Sequence, residues 1–261
     1  MLLAADVGNT ETTVGLFQGD DLIGHWRLTT SVARTPDEWS ALVSLYLVNA
    51  GHSPSAVRAA VLASVAPLVT QNVSDGVRNA TGVTPTTIDA TSTLPIVLDV
   101  DEPLTVGADR IVNTLAATRL FGRDTIVVDF GTATTFDCIT KDGHFLGGVI
   151  MPGIRTAADE LVRRTAKLPA TELTPPAHVI GKRTEDCIRA GVLWGTADAV
   201  DGVVRRIREE WPGGGNPLVV ATGGLASLVA GLCREVESVH PDLTLVGLRL
   251  AAQALGLGWT R

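Results

Sequence analysis

The stretch LLAADVGNTETTVGLFQGDDLIG, which begins at Leu2, returns at an offset of 123 as the stretch IVVDFGTATTFDCITKDGHFLG, which begins at Ile126, and the two align without a gap. Asp6 falls on Asp129, Gly8 on Gly131, Asn9 on Thr132, Thr12 on Thr135, Leu22 on Phe145 and Gly24 on Gly147. In each copy an apolar run enters, an Asp-x-Gly turn reverses the chain, and a hydroxyl-rich stretch leaves toward a second turn. Alternating strands joined through such a turn predict a β-hairpin. A chain that makes the same hairpin twice, half its length apart, is expected to be two similar lobes in tandem.

The chemistry of the two tips is as repetitive as their geometry. Glycine accepts positive φ and leaves backbone N–H groups uncovered, Thr and Asn add side-chain donors, and the Asp can hold a metal ion or its waters. Such a tip grips phosphate. Two of them facing each other would hold a polyphosphate between two lobes, so the repeat suggests a nucleotide cleft. Two familiar phosphate signatures are absent: no glycine stands five residues before Gly181, and no G-x-G-x-x-G follows a predicted strand, which disfavours a P-loop kinase and a Rossmann dehydrogenase.

Composition narrows the partners. With 261 residues, 45% hydrophobic and 19% charged, the chain has a globular make-up sized for one large or two modest cores. The net charge of −7 and the lack of a basic block beyond Arg205, Arg206 and Arg208, read as a solvated helix face, disfavour nucleic acid. Cys138, Cys187 and Cys233 fit neither a disulfide framework nor metal-ligand spacing and are expected to be reduced, buried thiols. The five histidines have no ligand spacing. No basic, apolar leader opens the chain, and the long uncharged stretch from Trp211 to Cys233 is broken by prolines and glycines, so neither a secretory signal nor a membrane span is expected, and a cytoplasmic enzyme is.

Along the chain, Thr35-Pro36-Asp37-Glu38 has the capping-box pattern ahead of a helix carrying Trp39, Leu42, Val43 and Tyr46. Val57–Val65 reads as a buried strand, Pro67–Thr81 as a helix, Pro85–Ile88 as a short strand and Ile111–Leu120 as a helix ending at Gly122. The lobe boundary is placed near Phe121. Beyond it come the second hairpin, a helix around Ala157–Ala166, a Pro-rich connection, an amphipathic helix marked by Val200, Val203, Val204, Ile207 and Trp211, and a strand Leu218–Ala221 that ends at Thr222-Gly223-Gly224 before another helix.

Two further clusters carry chemistry. Gly107-Ala108-Asp109-Arg110 sets a carboxylate beside a guanidinium where a loop becomes a helix: a helix cap with a surface arginine, or a base with an anion-binding partner. A weak base suffices for phosphoryl transfer, because the transition state is loose and the hydroxyl proton leaves late. Gly223 and Gly224 permit a nucleoside to lie close against the turn, or simply bend the strand into its helix.

These pieces together resemble type III pantothenate kinase. The likeness covers essentially the whole chain: Asp6-Val7-Gly8-Asn9-Thr10, Gly107-Ala108-Asp109-Arg110, Asp129-Phe130-Gly131-Thr132-Ala133-Thr134-Thr135, Gly147-Gly148 with Pro152-Gly153, Thr165-Ala166-Lys167-Leu168-Pro169, Gly181-Lys182-x-Thr184, Thr222-Gly223-Gly224 and Leu243-Thr244-Leu245-x-Gly247-Leu248. One departure is that Leu98–Pro103 has no tyrosine, where many relatives carry one a few residues before the proline.

The resemblance implies an α/β fold of the acetate and sugar kinase, Hsc70 and actin superfamily: two tandem ribonuclease H-like (actin-like) lobes, 1–121 and 122–261, each a mixed sheet flanked by helices, with a nucleotide cleft between them. It implies ATP-dependent phosphorylation of pantothenate to 4'-phosphopantothenate, the first step of coenzyme A synthesis. In that reading Asp6, Val7, Gly8, Asn9, Thr10, Glu11, Thr12, Thr13 and Thr132 bind the ATP phosphates, Gly107, Ala108, Asp109 and Arg110 bind pantothenate with Asp109 as general base, and Thr184 reaches the substrate. Asp129 helps to hold a monovalent cation, K+ or NH4+, Mg2+ accompanies ATP, and the protein is a homodimer through second-lobe helices with no nucleic-acid or membrane partner. The rival expectations are a kinase of another small hydroxylated acid or sugar, which a substrate panel separates, and a non-catalytic regulatory homologue, against which the intact Asp6, Asp109 and Asp129 speak.

Overall fold

The apolar run after Met1 is buried on both faces, as a central strand must be, and forms β1 (Leu2–Val7). In the computed structural model, which describes residues 1–259, it is followed by β2 (Glu11–Gln18), β3 (Asp21–Thr29), α1 (Pro36–Asn49), β4 (Ala59–Ser64), α2 (Pro67–Thr81), β5 (Thr86–Ile88), a two-residue strand β6 (Val97–Leu98) and α3 (Ala108–Phe121). The first sheet has the order β3-β2-β1-β4-β5, antiparallel through β1–β2–β3 and parallel through β1–β4–β5. Alternation sorts the side chains of β1. Leu3, Ala5 and Val7 pack with Trp39, Val43 and Leu47 of α1 and Val73 and Val77 of α2, while Leu2 and Ala4 face Ile111, Val112 and Leu115 of α3. The capping box at α1 forms as expected, Glu38 N–H donating to Thr35 Oγ1 at 3.3 Å and Thr35 N–H to Glu38 Oε2 at 2.7 Å.

The second half repeats the plan with β7 (Thr125–Phe130), β8 (Ala133–Ile139), β9 (His144–Pro152), α4 (Ile154–Arg164), α5 (Thr184–Glu210), β10 (Leu218–Thr222), α6 (Ala226–Val229) and β11 (Ser238–Val239). The strands run β9-β8-β7-β10-β11, antiparallel through β7–β8–β9 and parallel through β7–β10–β11, the same topology strand for strand as the first sheet. Its core joins Ile126, Val128, Phe130 and Phe136 to Leu193, Val200 and Val204 of α5. The duplication read from residues is a duplication of topology.

Four expectations change. The chain forms two compact units, Leu120–Asp242 and a first unit in which Met1–Arg119 is joined by the segment from Leu243 onward, so the carboxyl-terminal stretch is not part of the second lobe. The reason is α7 (Leu243–Ala254), whose Leu245, Leu248, Ala251 and Ala252 fill the same core as Leu2, Ala4 and Leu115. Helix α5 runs 27 residues, its first four turns lying ahead of the expected stretch. Of the cysteines, Cys138 is buried and Cys233 half-buried, its thiol pushed up to about 12 by burial and by Asp201 and Asp198, but Cys187 is exposed. Nor is the arginine cluster simply solvated, because Arg208 is half-buried and pairs with Glu235 Oε2 at 2.5 Å, where Arg205 also reaches Oε1 at 3.3 Å.

Candidate active site

In the first unit the β1–β2 tip holds Asp6 to Thr13. Asp6 is register partner to Thr13 on β2 and to Ala63 on β4, and by alternation all three lie on the sheet face that α3 covers. The turn closes with Gly8 N–H donating to Glu11 C=O at 3.0 Å. Gly8 has an ordinary negative φ, contrary to the expectation from Asp-x-Gly. Glycine is needed because a Cβ there would stand 2.8 Å from the Glu11 oxygen. Asn9, Thr10 and Glu11 are exposed, as ligand-facing residues should be, whereas Val7 is in the core and Thr12 Oγ1 shares a 2.8 Å hydrogen bond with Thr30 Oγ1, so those two offer a ligand only their backbone.

Gly107 precedes α3 on the same face. A Cβ on Gly107 would meet Val65 Cγ1 at 3.3 Å, and Val65 N–H donates to Val7 C=O at 3.0 Å, so this loop runs beside the ends of β1 and β4, where Asp6 stands. Ala108 is buried against Ala63 and Ile111. Asp109 sits in the first turn of α3, its Oδ1 accepting from the Arg110 N–H at 2.8 Å. Its pKa is raised above the usual carboxylate range. Loss of hydration dominates, although the backbone N–H groups, the neighbouring guanidinium and the positive end of the helix all favour the charged form. A base whose pKa climbs toward neutrality is better matched to a proton that must be taken at neutral pH.

In the second unit the β7–β8 tip differs from its twin by one residue. Asp6 pairs with Thr13, and an offset of 123 would pair Asp129 with Phe136, yet Asp129 pairs with Thr135, and Gly131 N–H reaches back to Ala133 C=O at 3.0 Å in a tighter turn. Thr132, exposed, has its carbonyl fixed by Gly153 N–H at 3.1 Å and Thr156 Oγ1 at 2.7 Å as α4 begins. Gly223 turns at φ +91°, and a Cβ there would lie 2.2 Å from Asp129 Oδ1. The Gly223-Gly224 bend therefore has a steric reason of its own, to leave room for the Asp129 carboxylate. Thr222, register partner of Asp129 on β10, is fully buried and its Oγ1 has no hydrogen-bond partner. Thr184 is the first residue of α5, on the rim of an apolar groove of about 550 Å³ bounded by Pro152, Leu161, Ile188 and Val192.

The structure thus brings Asp6, Thr13 and the Gly107–Arg110 turn to one face of the first sheet, and Asp129, Thr132, Gly223 and Gly224 to the neighbouring strand ends of the second. Thr184 begins α5, on the groove that it lines together with Pro152. Sequence reading passed over Asn113, Thr244 and Gly247, which hold α3 against α7. Thr244 and Gly247 lay inside a quoted motif, but nothing local showed what they touch. Among the described residues no three His, Cys, Asp or Glu side chains gather as a metal site, and no helix is long and apolar enough to cross a membrane.

A family model described as type III pantothenate kinase matches residues 2–206. The chain belongs to the type III pantothenate kinase family. It is 46% identical over 257 residues to type III pantothenate kinase 1 of Symbiobacterium thermophilum, covering 96% of this chain and 95% of that one. It is 42% identical over 250 residues to the type III pantothenate kinase of Moorella thermoacetica, covering 96% and 98%. Among solved structures, the activator of 2-hydroxyisocaproyl-CoA dehydratase from Clostridium difficile with bound ADPNP is similar in fold, at a TM-score of 0.57 and 15% identity, covering 98% of this chain and 93% of that one. These findings bear out the actin-like α/β fold and the family expected from the motifs.

Proposed function

We propose that this protein transfers the γ-phosphoryl group of ATP to the primary hydroxyl of pantothenate, giving 4'-phosphopantothenate, with Asp109 as general base. The observation that carries the reading is the pairing of a full-length family match with a carboxylate that burial makes more basic, set on the sheet face that also bears Asp6. In this reading the backbone N–H groups and hydroxyls of Asn9, Thr10 and Thr13, and Thr132 on the second tip, hold the phosphates; Val7 and Thr12 support the turn from beneath, and Glu11 lies beside it. Gly223 and Gly224 lie against the nucleoside. Arg110 draws the anionic acceptor, Gly107 and Ala108 seat it, and Asp109 takes the hydroxyl proton as the oxygen attacks. The surroundings of Asp129 suit a monovalent cation such as K+ or NH4+, because the carboxylate has beside it the partnerless buried hydroxyl of Thr222 and every donor is oxygen. That ion and the Mg2+ that travels with ATP would supply charge neutralisation at the phosphates.

We further place the enzyme in the cytoplasm as a homodimer. Gly191 and Gly195 leave open space along α5 beside the apolar groove, where a second copy would bury it and meet Thr184. Sedimentation tests this, since a monomer at assay concentration contradicts it. The function itself is tested by assaying ATP consumption against pantothenate, hexoses and short hydroxy acids, with the product identified by mass. Preference for a hexose overturns the substrate, and no turnover with any acceptor overturns the kinase.

A further inference from the structure

Asn113 is out of place by ordinary rules. It is 1% exposed in the middle of α3, among Ile111, Val112, Leu115, Ala116 and Ala117, where an apolar side chain would pack without the need for partners and with better helix propensity. Its Oδ1 accepts a hydrogen bond of 2.9 Å from Thr244 Oγ1 in the first turn of α7. Its Nδ2 has no partner. A buried amide left half-satisfied calls for an explanation, and helix geometry supplies one. Asn113 follows Asp109 by four residues, so the two share a face, and helical side chains lean toward the amino-terminal turn, which here is the turn of Asp109. With Oδ1 committed to Thr244, the amide's donor end is turned away from α7. Asp109 uses Oδ1 for Arg110 N–H, and a carboxylate has capacity for further donors.

We propose that Asn113 is a positioning residue for Asp109, its Nδ2 donating to the Asp109 carboxylate through one bridging water, and that Thr244 on α7 orients the amide for this bond. The proposal rests on the reading of Asp109 as base. The arrangement holds the carboxylate in one rotamer facing the acceptor while leaving an oxygen lone pair for the proton. Helix α7 is well placed to brace it. A Cβ on Gly247 would come within 2.2 Å of the Val112 oxygen, so α7 bears directly on the turn that carries Asn113, and Leu245 of the same helix packs against Gly15 of β2, the strand leaving the Asp6 tip. A plain strut between helices would not need the free donor.

The test is steady-state kinetics and thermal unfolding of Asn113→Leu, Asn113→Asp, Thr244→Val and Thr244→Ser beside Asp109→Asn. Asn113→Leu is expected to lower kcat by about 10- to 100-fold with KM for ATP little changed, as misplacement of a reacting group does, while Tm holds or rises because the half-satisfied amide leaves the core. Asn113→Asp keeps the acceptor for Thr244 but lacks the donor and should lose activity likewise. Thr244→Val should lower kcat and Thr244→Ser restore it, a pair that carries the test should Asn113→Leu fail to fold. In the Asp109→Asn background, Asn113→Leu should add nothing. Wild-type kcat in folded Asn113→Leu, or in Thr244→Val, overturns the positioning role, as do losses that simply multiply in the double variant. If Asp109→Asn alone keeps turnover, the base assignment falls and this inference with it; if Asp109→Asn is crippled and Asn113→Leu is not, only the inference falls.

Discussion

Two demands on Asp109 oppose each other. Burial raises its pKa in the folded chain, so folding favours the protonated acid: that stabilisation is complete below the unfolded value, near 3.9, and is lost as pH rises through the folded one. The proposed reaction asks for the ionised form, which is the form that burial disfavours. Asp109→Asn should lower kcat by about 10² to 10⁴ and at the same time raise Tm at pH 7. A pH–rate profile adds the sign: activity of the native protein should fall on acidification with a midpoint above that of an ordinary Asp, and the variant should lack this limb. A second residue has a steric rather than an electrostatic role. Gly223→Ala forces a Cβ at positive φ into the Asp129 carboxylate and should cost roughly 1–3 kcal/mol in urea unfolding, with a weakened response of turnover to K+. Neither role was fully legible from the residue types. The Asp-x-Gly triplets announced turns, but only backbone geometry tells that Gly8 is wanted for a close carbonyl and Gly223 for both a left-handed bend and a neighbouring acid.

At the scale of elements, legibility followed locality. The hairpins, the capped start of α1 and the strand into Gly223 are written in neighbouring residues, and they formed where expected. Helix α7 is not, because its sequence LTLVGLRLAAQA is apolar on nearly every side with a glycine inside, so no polar face marks it as a surface helix and only distant contacts decide which sheet it covers. The first half of α5 was obscured in the same way by Gly191 and Gly195. The shorter second tip was hidden for another reason: residue identities align without a gap, and the missing residue appears only when strand partners are counted. Since α7 completes the first core, Leu248→Ala, at a fully buried position, should cost about 2–5 kcal/mol in urea, as much as a comparable truncation within β1 or α3.

At the scale of the molecule, the two units have the same strand topology but different continuity. Residues 120–242 form one uninterrupted stretch with its own core, whereas the first unit needs chain from both sides of that stretch. Expressed alone, a fragment spanning 120–242 should show cooperative thermal unfolding by circular dichroism, and a fragment spanning 1–119 should not, because it lacks Leu245, Leu248, Ala251 and Ala252. The overall charge of −7 neither helps nor hinders this; under the proposed function it means that the positive potential for phosphates would be local, from N–H groups, Arg110 and accompanying cations.

The return of α7 to the opening sheet also sets an order of events during translation. The half that leaves the ribosome first stays unfinished until α7 emerges, so the later half is ready earlier, and for that interval an apolar surface around Leu2, Ala4 and Phe17 waits without its helix, the moment at which a chaperone has most to gain by holding the nascent chain.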